Sequence, residues 1–429
     1  MDDALPTGKI SRGKVVGKTL LKIGLQKGKH LIQQEKEANR HEEIADIIFD
    51  ALGELKGVSV KIAQQIALGM PFLPPAYLDK ISKSFHSIPG INKALVRKII
   101  KSELDAYPHD LFDRFEMTPF AAASLGQVHL AEKAGRKLAV KIQYPGIKKS
   151  IETDMSLIHF GLKRFAKGQN VTHIVTEIEE RLFEETDYTL EAQNILFFKE
   201  HLNNPRIVIA DVFPELSGDK VLTTSFLEGV NFDTYLRSNP SQRDINAYAQ
   251  LIFDTFFYSL YHLKRIHADP NPGNFLFMKE NRLGLIDFGC IKSVSDDFLN
   301  LYNKLHLSLL EEATESELID RYLALGMIEK SDKKTMQQFY TEVIKPLDTL
   351  YKEPLSKAHY DFKANSDFSQ RGFEKIFEVQ RKQFHSVHKL NEQFLFLNRT
   401  LMGYYALFEK MGAAIETGYV RKLMNTFTL

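Results

Sequence analysis

The chain has 429 residues, long enough for two substantial cores, and its 44% hydrophobic and 26% charged content is ordinary for a soluble globular protein. A formal net charge of +1 gives no argument for nucleic acid as a partner. The single cysteine, Cys290, excludes an intramolecular disulfide and any multi-cysteine metal site, and fits a reducing compartment.

At the N-terminus, Leu5 to Gln34 carries seven Lys or Arg (Lys9, Arg12, Lys14, Lys18, Lys22, Lys27, Lys29) and no acid, interleaved with Val15, Val16, Leu20, Leu21, Ile23 and Leu25. Such a segment suits an anionic membrane surface. Gly13, Gly17 and Gly24 favour the plainer reading of a solvated arm. Its apolar run is too short and too broken by lysine for a secretory signal. "GKVVGKT" at Gly13 has one residue too few between its glycines for a phosphate loop. "GKISRGKV" at Gly8 ends in Val15 where a magnesium-binding Ser or Thr belongs, and neither follows a strand.

From His41 to about Glu116 the pattern is helical, with Ile44, Ile47, Ile48, Ala51 and Leu55 on one face. Lys61 and Gln64 lie one turn apart, and read alone they are surface residues. "MPFLPP" breaks the run, and a second amphipathic helix is expected over Lys93 to Leu104. The period then changes. A small-residue loop, Ala121-Ala122-Ala123-Ser124, precedes two strand-like runs, Gln127 to Glu132 and Lys137 to Gln143, and Lys141 falls inside the second between Val140 and Ile142. "RLFEETDYTLEAQN" (Arg181 to Asn194) is helical, and its carboxylates, Glu184, Glu185, Asp187 and Glu191, are solvated by default. "DKVLTTSFLEGVNF" (Asp219 to Phe232) reads as a strand and a turn. The apolar windows Leu251 to Leu263 and Phe394 to Phe408 contain Asp254, or Asn398 and Arg399, and fall short of a membrane span.

"RIHADPNPGNFLFMKENRLGLIDFGCIK" (Arg265 to Lys292) predicts a hairpin of Phe275-Leu276-Phe277 and Leu283-Gly284-Leu285-Ile286 joined by "KEN". Asp269 and Asn274 stand before it and Asp287 after it. Phosphoryl transfer needs a cation on the α/β-phosphates, oxygen ligands for Mg²⁺ and a base, all strictly positioned. Lys141 of "LAVK" suits the first, Asn274 and Asp287 of "DFG" the second, and Asp269 of "HAD" the third, in the chain order of a kinase. "DFG" alone is a weak signal; all four in order at these distances are strong. Cys290, after Gly289, is more simply a buried inert thiol than a reactive one.

On "KIAQ" (Lys61 to Gln64), "PFAAASLGQVH", "LAVKIQYPG", "ETDYTLEAQN", "FLEG", "HADPNPGN" and "IDFG", the chain resembles the UbiB-like (AarF) family of atypical kinases, well over Leu55 to Lys292 and more loosely beyond. It departs from the family's "KxGQ" at Ala63. The resemblance implies an α+β, two-lobed protein-kinase-like fold in which the helix of Lys61 and Gln64 covers the cleft. Ala121, Ala122, Ala123 and Ser124 take the place of a glycine-rich loop, and Glu228 of "FLEG" joins them and Lys141 at the nucleotide. Glu185 and Glu191 pair with Lys141 and Lys61, Glu185 with Lys141 by preference. It further implies ATP and Mg²⁺ as cofactors and a role in ubiquinone or other isoprenoid-lipid metabolism, with ATPase activity better implied than any phosphorylated acceptor. Three absences agree that this is no ordinary protein kinase: no G-x-G-x-x-G occurs, Ala268 replaces the arginine of "HRD", and no "APE" follows "DFG".

The expected layout is a basic arm (1–40), a helical extension (41–117), a small lobe (118–227) and a large lobe (228–429). The expected location is cytoplasmic or peripheral to a membrane. A small-molecule kinase with a soluble acceptor and an idle nucleotide-sensing scaffold are the alternatives. Oligomeric state is not legible.

Overall fold

The computed structural model describes residues 91–123, 125–153, 155–156, 176, 179–180, 182–381 and 391–428. The basic arm, Lys61, Gln64 and Ser124 lie outside the described residues. Two compact units emerge: the first takes the chain up to Leu190 with Val212–Phe226, the second Glu191–Asp211 and everything from Leu227 onward.

As far as the end of the first unit, the elements in chain order are α1 (Lys93–Leu104), α2 (Pro108–Leu111), β1 (Arg114–Phe115), β2 (Ala121–Ala123), β3 (Gly126–Lys133), β4 (Arg136–Gln143), α3 (Tyr188–His201), β5 (Ile207–Ile209) and β6 (Val221–Ser225). Asn92 caps α1 by accepting the Leu95 amide, and Asp105 ends it in the left-handed conformation. Val96, Ile99 and Ile100 recur at helical spacing, so they bury together against Leu138, Val140, Ile142 and Val221 of the sheet. That sheet runs β1-β3-β4-β6, all antiparallel, with β2 also paired to β3. Its register sets Val128 opposite Lys141 and Lys141 opposite Leu222. The period of two therefore turns Val140 and Ile142 into the core and Lys141 to the other face.

The alanine segment corrects one expectation. Ala121–Ala123 is a ladder-paired strand, with Ala121 opposite Val128 and Ala123 opposite Gly126. Alanine carries little β-signal of its own, and the pairing with β3 decides its conformation. Gly126 is required there: a Cβ would lie 2.3 Å from the Ile142 carbonyl oxygen.

The second unit continues with α4 (Phe232–Arg237), α5 (Gln242–Tyr258), β7 (Arg265–His267), β8 (Phe275–Phe277), β9 (Leu283–Leu285), β10 (Ile291–Ser293), α6 (Asp296–Leu310), α7 (Glu315–Ala324), α8 (Lys333–Phe339), α9 (Lys345–Lys352), β11 (His359–Asp361), α10 (Phe368–Arg381), α11 (Glu392–Met411), β12 (Ala414–Glu416) and α12 (Tyr419–Thr426). β8 and β9 form the expected hairpin, and β5 joins β9 in parallel to make three strands. "KEN" turns through left-handed Glu280 and Asn281. The core is aromatic: Phe253, Phe257, Phe288, Tyr404, Tyr405 and Phe408 are all buried. α11 stops at Met411. Gly412, at φ 62, turns it into β12, which pairs with β11. Among the described residues no helix is long and apolar enough to cross a membrane.

Candidate active site

In the second unit, the residues expected to handle metal and proton are gathered by backbone pairing. α5 ends in a π-turn, Ser259–Leu263, and left-handed Lys264 directs the chain into β7. β7 pairs antiparallel with β10, and the Ala268 amide donates to the Cys290 carbonyl at 2.9 Å. "HAD" and the residues after "DFG" therefore run side by side. The hairpin supplies the rest: the Ile286 amide donates to the Asn274 carbonyl at 3.2 Å, tying the start of β8 to the end of β9.

His267 locks the two strands at the site. The Asp269 amide donates to its Nδ1 at 3.4 Å, so the proton sits on Nε2, which donates to the Asp287 carbonyl at 2.6 Å. Asn274 is buried and commits Nδ2 to Asp269, at 2.9 Å from the carboxylate and 3.1 Å from the carbonyl. That orientation leaves its Oδ1 as the donor for a cation. The Gly289 amide donates to Asp287 Oδ1 at 2.9 Å, fixing this carboxylate within its own turn. Behind them the Tyr404 hydroxyl donates to the His267 carbonyl at 3.1 Å. Burial first, and the Asp269 charge second, push the Tyr404 phenol up, so it remains a donor. Gly403 lets α11 approach, since a Cβ there would lie 2.3 Å from the Pro270 ring. The Asn194 amide on α3 holds the Phe288 carbonyl at 3.0 Å.

The sequence singled out Asp269, Asn274 and Asp287 but gave no role to His267, Gly403, Tyr404 or Asn194. His267 had a signal in "HAD" and Asn194 in "ETDYTLEAQN". The others act through juxtaposition across many residues, which spacing does not show.

In the first unit, Lys141 is half-buried and its ammonium lies 5.0 Å from the centre of the Tyr188 ring. Ala121 and Ala122 are exposed and Ala123 half-buried. Glu185 sits in a turn, not in the helix expected for it, because the helical turns break before α3 begins at Tyr188. Glu191, in the first turn of α3, is 2% exposed and belongs to the second unit. Glu228 is exposed at the start of that unit. Cys290 is buried, as the simpler reading required.

The donor set fits magnesium. Mg²⁺ is characteristically held by one or two carboxylates with phosphate oxygens and water, not by a cage of protein ligands. Asp287 and Asn274 offer one carboxylate and one amide oxygen, and no group of three or more His, Cys, Asp or Glu suited to a metal occurs among the described residues.

Residues 83–318 match the ABC1 atypical kinase-like domain. The chain is 27% identical over 378 residues to "Atypical kinase COQ8, mitochondrial" of Saccharomyces cerevisiae, covering 84% of this chain and 74% of that protein. It is 28% identical over 424 residues to "Atypical kinase coq-8, mitochondrial" of Caenorhabditis elegans, covering 94% of this chain but 52% of the relative. Against "Protein ACTIVITY OF BC1 COMPLEX KINASE 8, chloroplastic" of Arabidopsis thaliana, it is 28% identical and spans 36% of the relative's length. Among solved structures, Rv3197 of Mycobacterium tuberculosis, determined in complex with erythromycin, shares the fold with a TM-score of 0.60 at 24% identity, over 91% of this chain and 97% of that one.

Proposed function

The chain belongs to the ABC1 atypical kinase-like family, and from that premise we propose that it is a Mg²⁺-dependent ATP-binding phosphotransferase or ATPase that supports ubiquinone or other isoprenoid-lipid metabolism. The observation that carries the chemistry is the Asp269–Asn274–His267–Asp287 array, in which the Asn274 amide holds the Asp269 carboxylate, the Gly289 amide holds the Asp287 carboxylate, and the His267 imidazole ties the backbones of Asp269 and Asp287 together. Asp287 and Asn274 Oδ1 are the oxygens for magnesium, which when bound neutralises developing phosphate charge. Lys141 is the cation for the α/β-phosphates. Asp269 receives the proton of the attacking hydroxyl or water, and Asn274 keeps that carboxylate oriented. Glu185, Glu191, Glu228, Lys61, Gln64 and the Ala121–Ser124 segment keep the roles the family resemblance gives them.

The lipid role is supported by the names of the relatives, several of them assigned to mitochondria or chloroplasts. A soluble-acceptor kinase and an idle nucleotide sensor are distinguished by experiment. Asp287→Asn removes a metal charge at constant volume and keeps an oxygen for the Gly289 amide. It should abolish most of the stabilisation by Mg·ATP, which for a site filled at a hundred times Kd is about 2.7 kcal/mol, without lowering the melting temperature of the free protein. An unchanged Mg·ATP shift in the variant would reject the metal assignment. Turnover raised by isoprenoid-containing vesicles supports the lipid role; indifference favours the soluble acceptor, and binding without turnover the sensor.

A further inference from the structure

β3 carries two polar side chains on the face it turns to the core, where apolar residues are the rule. Gln127 is 1% exposed and His129 0%, and they share that face with Ala131, Val140 and Ile142, against Val96, Ile99 and Ile100 of α1. A chain of three hydrogen bonds, each of 2.7 Å, runs through them. The Ile91 amide donates to Gln127 Oε1, Gln127 Nε2 meets His129 Nε2, and His129 Nδ1 meets the Glu116 carbonyl.

The polarity of this chain is set at both ends, because a backbone N–H only donates and a carbonyl only accepts. Gln127 must turn Oε1 to Ile91 and Nε2 to His129. The ring then accepts at Nε2 and carries its proton on Nδ1, for Glu116. Phe115 stacks on the ring at 5.2 Å and holds its plane. Ile91 adjoins Asn92, the cap of α1, and Glu116 stands between β1 and the alanine strand. Gln127 is also the ladder partner of Ala122. One relay of side chains thus ties the start of α1 to the run of chain that becomes β2.

We propose that Gln127 and His129 are positioning residues for nucleotide binding, which through this relay hold the Ala121–Ala123 strand in register with β3 and α1. The nucleotide part rests on the proposed function, in which that strand takes the place of a glycine-rich loop; the relay itself does not.

The relay accepts only a neutral imidazole. A second ring proton would face Gln127 Nε2, and turning that amide over would set its NH₂ against the Ile91 N–H, so one link must break. Burial lowers the His129 pKa from 6.5, against the opposing pull of the Glu116 carbonyl. The relay is therefore whole above pH 6.5 and is lost as pH falls below it. Of the titratable groups on the elements around the ring, Lys93, Arg97, Lys98 and Lys101 of α1 and His109 and Asp110 of α2 are exposed. Glu103 pairs with Lys220 at 2.7 Å, and the Glu116 carboxylate with Arg114 at 3.2 Å. Lys137 and Lys141 of β4 lie on the other face of the sheet.

The test compares the full chain with its His129→Phe and Gln127→Glu variants on both sides of pH 6.5. Steady-state ATP turnover is read beside the NMR spectrum of the imidazole nitrogens and hydrogen exchange at the Ile91 amide. In the parent the ring proton should be found on Nδ1. His129→Phe keeps a flat ring and cuts two links. Above pH 6.5 its KM for Mg·ATP should be about tenfold the parent's, as for one buried hydrogen bond left unmade. Its kcat should stay close to the parent's, because Asp269, Asn274 and Asp287 belong to the second unit. Below pH 6.5 the ratio of the two KM values should fall towards one, as the parent's own relay opens and its Ile91 amide loses protection. Taking the ratio cancels the titrations that parent and variant share.

Gln127→Glu offers two acceptors, so its relay closes around a protonated ring. Its Ile91 amide should be protected at low pH and lose protection as pH rises, the reverse of the parent. A ring proton on Nε2, Ile91 protection indifferent to pH, a KM ratio of one throughout, or the parent's pH dependence in Gln127→Glu would each overturn the proposal. Should His129→Phe fail to fold, the nitrogen spectrum and the Ile91 exchange of the parent and of Gln127→Glu decide it. A parent that binds no Mg·ATP would reject the proposed function and the nucleotide role together, and the same two measurements would still judge the relay.

Discussion

Gly403 shows how one atom can matter far from the chemistry it supports. It lies inside α11, where alanine would normally gain about 1 kcal/mol of helix stability. Here the added methyl meets the Pro270 ring, and overpacking of this kind costs about 1–3 kcal/mol. The two effects oppose, so Gly403→Ala should shift the melting temperature little. Pro270 adjoins Asp269, however, and a displacement of order 1 Å at a reacting group can cost about 100-fold in rate. Steady-state ATP turnover of the variant should therefore fall by one to two orders of magnitude on that same estimate, with Mg·ATP still bound. Normal turnover would mean that α11 does not position the Asp269 loop.

At the scale of elements, α6 and α9 bury two groups whose titrations oppose one another. His306 is 1% exposed, neither ring nitrogen has a hydrogen-bond partner among the described residues, and burial pulls its pKa from 6.5 to about 4. Its depressed value contributes stability above pH 6.5 that is lost as pH falls towards 4, about 3 kcal/mol in all. Asp348 is 4% exposed and accepts from Tyr322 and, at 3.5 Å, from Tyr340. Burial raises it from 3.8 to about 7 against those hydrogen bonds and the Lys352 charge. Its raised value contributes stability below pH 3.8 that is lost as pH rises towards 7, about 4 kcal/mol. Between pH 4 and 6.5 the two slopes nearly cancel. Asp348→Asn, which can still accept from Tyr322, should make stability climb with pH across that window. Urea midpoints at a series of pH values decide it; a flat profile in the variant would show that the pair does not compensate.

The same scale shows what was legible in advance. α1 was readable to its end residues because Asn92 caps it and its apolar positions keep one face. The β8–β9 hairpin was readable because two short apolar runs flank a polar turn. β2 was not, since three alanines state no preference and a partner strand decides. Asp269, Asn274 and Asp287 stood out by residue type and interval. Gly403 and Tyr404 did not, because their roles exist only once α11 is packed against β7 and the residues that follow it.

For the whole molecule, the unanswered residue is Lys61, outside the described residues and distant in sequence from "DFG". If the family arrangement holds, it is a second cation near the phosphates or their carboxylate partners. Breaking a buried charge pair from one side costs about 3–5 kcal/mol. Lys61→Ala should then change ATP turnover and increase proteolysis near "MPFLPP", with Gln64→Ala acting in the same direction but more weakly. Normal turnover and normal protection in Lys61→Ala would make that helix a bystander and return the soluble small-molecule kinase to favour.

The strand conformation of Ala121–Ala123 has a further consequence. Successive amides of an extended strand point to opposite edges, so they cannot converge on one anion as the amides of a glycine-rich nest do. On the proposed function, nucleotide affinity would then lean on the divalent ion more heavily than in a nest-bearing kinase. Occupancy would follow the cell's supply of free magnesium as well as its ATP, and the protein would register a shortage of either.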